Sequence, residues 1–268
     1  MYHLLGASLA LAALLIINAA ASLVTAGLWR NLLARRAVGW SAATRARLIF
    51  ALRAFPPVAA LACVAVLLIP SYLEHEPRTT TEVVSFKLAT LASLSMIGIG
   101  LALWRGLAAW RATRRLAANW IRHSVPISLE GITIPAYRIR HAFPVIAVVG
   151  TLRPRLFIAT QVFDSLNAEE LSAALAHERA HLAVRDNLKR GCLRVCRDVL
   201  TIAHFGRSLD RAWVEASEAA ADERAARAGA PVALDLASAL VKIARIAPAG
   251  ARPTMPAGAF LVGETTDG

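Results

Sequence analysis

The chain has 268 residues, of which 57% are hydrophobic and only 18% charged, with a mean hydropathy of +0.51. That excludes an intrinsically disordered chain, which needs low hydrophobicity, and it argues against a plain soluble domain. Thirty basic residues against 18 acidic ones give a formal charge of +12, and the three cysteines are too few for a disulfide framework at this size. The expectation is an integral membrane protein that carries a second, less apolar part.

The apolar residues are segregated. Residues 4–29 contain no charged side chain. At about 1.5 Å per residue this run reaches roughly 39 Å, enough to cross a hydrocarbon core of about 30 Å with tilt. It begins at Met1-Tyr2-His3, without the Lys or Arg of a signal-peptide n-region, and it is too long for an h-region. A retained span is expected. A second run covers residues 55–73, and Pro56-Pro57 would sit in the first turn of its helix, where a missing N–H costs nothing. The third, residues 88–104, is short. It extends to residue 110 if Arg105 snorkels to the headgroups; otherwise it is a buried or interfacial helix.

The connecting charges predict orientation. Arg30, Arg35, Arg36, Arg45, Arg47 and Arg53 lie between the first two runs with no acid among them. Glu74, Glu76 and Glu82 lie between the second and third, with Arg78 and Lys87. Arg105, Arg111, Arg114, Arg115 and Arg122 follow before the first later acid, Glu130. Positive-inside bias puts the N-terminus outside and everything after residue 110 in the cytoplasm. No nucleic-acid motif accompanies these arginines, so the bilayer is the expected partner and nucleic acid is not.

From Ser124 the chain changes character. Short β-branched runs around Ile132-Thr133-Ile134, residues 145–149 and Leu156-Phe157-Ile158 are separated by Gly and Pro, which predicts a small sheet. Residues 155–160 read as either an interior strand or an edge strand able to pair with an extended substrate. Asn167, followed by Glu169 and Glu170, predicts a helix start, and the helix runs to about Val184. It contains His177-Glu178-Arg179-Ala180-His181, an H-E-x-x-H motif. The i, i+4 spacing puts both imidazoles on one face, fit to hold one Zn²⁺, and Glu178 is placed to reach a water on that ion. The bland alternative is a pair of surface histidines beside a salt-bridging Glu. The apolar neighbours Leu175, Ala176, Ala180, Leu182 and Ala183 weigh against it.

A catalytic zinc usually has three protein ligands. The only later histidine is His204, so a carboxylate is the better candidate. Residues 213–224 are Ala-rich and free of Gly and Pro, hence helical. Glu218 and Asp222 share a face there, one able to ligate and the other to orient an imidazole. A solvated face paired with Arg211, Arg224 and Arg227 is equally consistent with the spacing. Cys192 and Cys196, at i, i+4, read as small apolar helix residues in a reducing compartment and not as a second metal pair.

Several stretches together carry a resemblance: residues 150–154 (Gly-Thr-Leu-Arg-Pro), 166–171 (Leu-Asn-Ala-Glu-Glu-Leu), 175–181 (Leu-Ala-His-Glu-Arg-Ala-His), Asp186, and 218–223 (Glu-Ala-Ala-Ala-Asp-Glu). They resemble the membrane-embedded gluzincins, most closely the bacterial zinc metallopeptidases of the BlaR/MecR type, with the HtpX-type peptidases as close relatives. The likeness covers roughly residues 143–228. It implies one Zn²⁺ per chain held by His177, His181 and Glu218, with Glu215 as the fallback ligand. Glu178 would be the catalytic base, and Asp222 and Asp186 the residues behind the ligands. Apart from the likeness, which the sequence around His204 does not share, His204 is a candidate second oxyanion donor, with a packing or surface role as its alternative.

The implied fold is mainly α. About three transmembrane helices precede an α+β gluzincin-like metallopeptidase domain with a small sheet and an HExxH helix. The expected layout is a membrane domain at 1–110 (spans near 4–29, 55–73 and 88–110), a cytoplasmic peptidase domain at 111–246 and a Pro/Gly-rich tail at 247–268. The implied protein is a multi-pass endopeptidase of the bacterial inner membrane that cuts a cytoplasmic or membrane-proximal protein, such as a transcriptional repressor. The alternatives are HtpX-like quality control and a non-catalytic membrane scaffold with a zinc-binding domain. In the BlaR/MecR family a further span and a penicillin-binding sensor domain usually follow. Neither is present here, so β-lactam sensing is not expected.

Overall fold

A computed structural model describes residues 1–79, 82–196, 205–227 and 229–248. The contacts divide the chain into two units, one built mostly from the apolar helices and one from the C-terminal half.

In the first unit, helix α1 (Tyr2–Leu28) continues through a wide π turn at Trp29–Leu33 into the short α2 (Ala34–Arg36). Helix α3 (Ala42–Ala62) likewise continues through a π turn at Cys63–Leu68 into α4 (Ile69–His75). Helix α5 (Phe86–Arg122) is unbroken over 37 residues. Tyr2–Arg36, Ala42–His75 and Phe86–Arg122 are each long and apolar enough to cross a membrane. Side chains such as Val24, Val66 and Leu103 stand exposed along them, as lipid-facing residues do. Gly6 lets two helices touch: a Cβ there would lie 2.6 Å from the Tyr72 ring, and the Tyr72 hydroxyl donates to the Tyr2 carbonyl at 2.7 Å. Arg53, 3% exposed, pairs with Asp210 at 3.1 Å.

One boundary in this unit differs from the expectation, and in the C-terminal half the run Ile132-Thr133-Ile134 lies outside the strands. The second apolar helix begins at Ala42, so Pro56 and Pro57 lie inside α3 and not in its first turn. Ser41 is the reason: its hydroxyl accepts from the Thr44 N–H at 3.3 Å and starts the helix well ahead of the apolar run. The third run follows the longer of its two readings: α5 carries on past Arg105 as one helix.

The C-terminal unit is built on a four-stranded mixed sheet. Its strands are β1 (Ser124–Ile127), β2 (Ala136–Ile139), β3 (Ile146–Val149) and β4 (Arg155–Ala159), in spatial order β1-β2-β4-β3. Strand β4 pairs parallel with β2 and antiparallel with β3. It is therefore interior, and the edge-strand reading of residues 155–160 is set aside: both its flanks are already paired. Strands β3 and β4 are continuous apolar runs buried on both faces. Phe157 sits at the core, its ring 5.2 Å from Trp120 of α5 and 5.4 Å from Tyr137. Fully burying side chains of this kind contributes about 1.5–3 kcal/mol each.

The helices α6 (Thr160–Ser165), α7 (Ala168–Ala183), α8 (Asp186–Val195), α9 (Phe205–Ala226) and α10 (Ala230–Ile246) follow the sheet; the end of α8 from Leu193 and the start of α9 up to Trp213 group by contacts with the first unit, the rest with the sheet. Asn167 caps α7 as predicted and also forms a capping box. Its side chain accepts from the Glu170 N–H at 2.7 Å, and its own N–H donates to Glu170 Oε2 at 2.9 Å. The same Glu170 carboxylate accepts from Ser238 Oγ at 2.6 Å and Lys242 Nζ at 2.8 Å, fastening α10 to α7. His204 and residues 249–268 of the expected tail lie outside the described residues.

Candidate metal centre

The site begins with the register of α7. Its capped start puts Glu170, Ala173, Ala174, His177, Glu178 and His181 on the buried side. The two imidazoles, one turn apart, are 4% and 3% exposed, which rules out a surface-histidine reading. Their rings meet edge to face at 4.8 Å, with the two Nε2 atoms 3.1 Å apart.

Helix α9 brings the third group. Glu218 Oε2 lies 3.6 Å from His177 Nε2 and 3.7 Å from His181 Nε2. Among the described residues, these three form the one group of His, Cys, Asp or Glu whose ligand atoms gather closely enough for a metal ion, all within 4.8 Å. The fallback Glu215 is exposed and outside the group. Cys192 and Cys196 lie outside it too, and Cys192 is exposed.

Each imidazole is held from behind. His177 Nδ1 meets Asp222 Oδ1 at 2.8 Å, and His181 Nδ1 meets Asp186 Oδ2 at 2.9 Å. A carboxylate at Nδ1 fixes a ring proton there and turns Nε2 toward Glu218, as the nitrogen that would bind an ion on giving up its own proton. Asp222 sits one helical turn beyond Glu218, so a single face of α9 supplies both groups. Asp186 reaches back because the chain turns sharply after α7, with Arg185 at φ 55°. Lys189 Nζ donates to the other Asp186 oxygen at 3.0 Å.

The donor set fits a tetrahedral divalent ion. Ligand bonds of about 2.0–2.1 Å at tetrahedral angles separate donor atoms by roughly 3.3 Å. The observed separations of 3.1, 3.6 and 3.7 Å bracket that value. Both oxygens of Glu178 and Oε1 of Glu218 are buried without a hydrogen-bond partner of good geometry. Carboxylates so placed are costly unless a cation lies among them.

The proton affinities carry the same imprint. Burial would depress His177, but the carboxylates of Asp222, Glu218 and Glu178 outweigh it and hold the ring up at about 10. Burial likewise opposes, and Asp186 and Glu218 raise, the His181 ring. Burial would raise Glu218, yet the two imidazoles hold it down at about 2. Glu178 is pushed up to about 7 by burial, against the pull of His181 and His177. The concentration of negative charge that keeps protons on the rings would hold a divalent cation in their place.

Some contacts have no signal in the sequence. The buried Asn187 donates from Nδ2 to the Val148 and Gly150 carbonyls at 2.9 and 3.1 Å, tying α8 to the outer edge of β3. Arg224, an expected partner of the acidic face, instead donates to the Ala180 carbonyl of α7 at 2.9 Å. Glu223 accepts from the Ala42 N–H at 3.1 Å. All three depend on long-range packing that spacing does not encode.

Residues 142–247 match the family model described as Peptidase family M48, a family of metallopeptidases. The matched stretch runs from just before β3 to the end of α10 and contains every residue of the centre. No curated protein matches the chain.

Proposed function

We propose that this protein is an integral-membrane zinc endopeptidase that hydrolyses a peptide bond in a protein at or near the bilayer surface. One observation carries the reading. Two imidazole Nε2 atoms and one carboxylate oxygen converge from two helices, and the fully buried Glu178 lies on the same helix as both rings. A pure metal-binding scaffold has no use for that carboxylate.

His177, His181 and Glu218 would hold the ion. When bound, zinc makes a water acidic and polarises the scissile carbonyl. Asp222 and Asp186 keep the two ring protons on Nδ1 and fix the ring planes. Glu178 takes the proton of the attacking water and delivers it to the leaving amine nitrogen. Burial raises its proton affinity, which suits a group that must first take a proton and then give it up.

The finer role is repressor cleavage of the BlaR/MecR kind, with HtpX-like removal of membrane proteins as the competing role. The catalytic unit faces the cytoplasm in either case, by the arginine distribution. The test is Glu178→Gln in the full chain, with zinc content measured alongside cleavage. Retained zinc with cleavage reduced about 10²–10⁴-fold is expected. A variant that keeps zinc and full cleavage refutes the peptidase reading. Proteomic comparison of cells carrying the two forms then separates the roles, by whether the fragment that disappears is a soluble cytoplasmic protein or a membrane protein.

A further inference from the structure

We infer that Glu223 is a positioning residue that latches the first turn of α3, one of the three apolar helices, onto the metal-site helix α9. This rests on the peptidase reading above and adds a means of control to it.

The last turn of α9 carries three consecutive side chains with three different tasks. Asp222 reaches His177 Nδ1 at 2.8 Å, Glu223 accepts from the Ala42 N–H at 3.1 Å, and Arg224 donates to the Ala180 carbonyl at 2.9 Å. Helix ends fray unless tied down, and here two ties follow directly after the residue that orients the ligand ring. Ala42 is the first helical residue of α3, and its N–H has no partner within the helix. Ser41 already serves the third position through Thr44, so Glu223 completes the cap from 181 residues away. Its negative charge suits the positive end of the helix dipole.

The segment Ser41–Ala46 groups by contacts with the C-terminal unit, while Arg47 and the rest of α3 do not. Ala42 and Ala46 are buried there, at 4% and 9% exposure. From Ala42 the helix runs without a break to His75, including its apolar stretch. A shift or rotation of that helix therefore acts at its root on Glu223, and through the adjoining backbone on Asp222 and His177. Signals that move the apolar helix would change how firmly the ring is aimed at the metal.

The test uses the full chain, loaded with zinc and challenged with a chromogenic chelator, with kcat and KM measured in parallel. Glu223→Ala is expected to speed zinc release about three- to tenfold, below the usual 10–100-fold for a residue in direct contact with a ligand. It should lower kcat while leaving KM unchanged. Glu223→Gln restores the parent release rate, because the amide oxygen accepts the same N–H. Ala42→Pro deletes the donor at a position where proline is well tolerated, and it should match Glu223→Ala. The double variant should then release zinc no faster than the faster single one. The latch is refuted if Glu223→Ala releases zinc at the parent rate, or if the two single effects multiply. Should Ala42→Pro fail to fold, the Ala and Gln variants at 223 decide alone. A parent chain that binds no zinc would refute the peptidase reading itself, whereas a silent Glu223→Ala beside an inactive Glu178→Gln refutes only the latch.

Discussion

The two aspartates behind the imidazoles make the same hydrogen bond at nearly the same length, 2.8 and 2.9 Å, yet they should not be worth the same. The Asp222 side chain is 51% exposed, whereas that of Asp186 is 4% exposed and also holds the Lys189 ammonium. Removing a residue behind a ligand costs about 10–100-fold in metal affinity, or roughly 1.4–2.7 kcal/mol. After Asp222→Ala, water can reach His177 Nδ1 and replace much of the lost bond, so the loss should fall at or below tenfold. After Asp186→Ala, the buried His181 Nδ1–H has no such substitute, and an unsatisfied buried donor costs about 1–3 kcal/mol. The loss there should approach the hundredfold end. Competition between each full-length variant and a chelator of known affinity, at fixed pH, reads both constants. Equal losses, or a greater loss for Asp222→Ala, would refute the argument that solvent access sets the worth of these contacts.

Two further perturbations probe the scaffold. The Lys242, Ser238 and Asn167 contacts hold Glu170 down at about 2. A depressed carboxylate contributes stability that is present above its unfolded value near 4.5 and is lost as pH falls toward 2. In the metal-free protein, Glu170→Gln should thus lower Tm near neutral pH, with the gap to the parent closing through that acid window. A pH-independent gap would contradict the assignment. Gly150 has φ 114°, and a Cβ there would lie 2.6 Å from the Arg153 carbonyl oxygen. Gly150→Ala should cost about 1–3 kcal/mol, seen as a lower Tm; an unchanged Tm would show that the turn yields freely.

The helix α7 was legible because its information is local. Its cap, its first-turn acids and its i, i+4 histidines all lie within residues 167–181, where period and chemistry agree. Glu218 and Asp222 were legible only as a pair sharing a face. Which one faces the ring nitrogens depends on how α9 docks, and only a family likeness had assigned the roles. Asp186 was harder, since five residues past His181 an unbroken helix would have carried it away from the ring. It returns through a left-handed Arg185, a conformation that sequence rarely betrays in a non-glycine residue. The start of α3 was misplaced for a related reason. Hydropathy registers lipid-facing residues, while Ala42–Arg53 is a helix made by a cap and by packing. Strand β4, apolar on both faces, showed its burial but not its two neighbours, because pairing order is a long-range property.

Trp120 and Ala117 belong to the core beneath Phe157, yet they are carried by the same unbroken helix that begins as an apolar span at Phe86. A soluble fragment cut at the start of the first strand would leave the Phe157 ring bare on one side. Anyone seeking to express the peptidase portion alone should begin upstream of Thr113, and then faces the exposed Trp110 and Leu107 that come next on that helix. Every turn added upstream of Arg111 brings in apolar surface that the full chain carries on its candidate span, so the longer fragments call for detergent or nanodiscs.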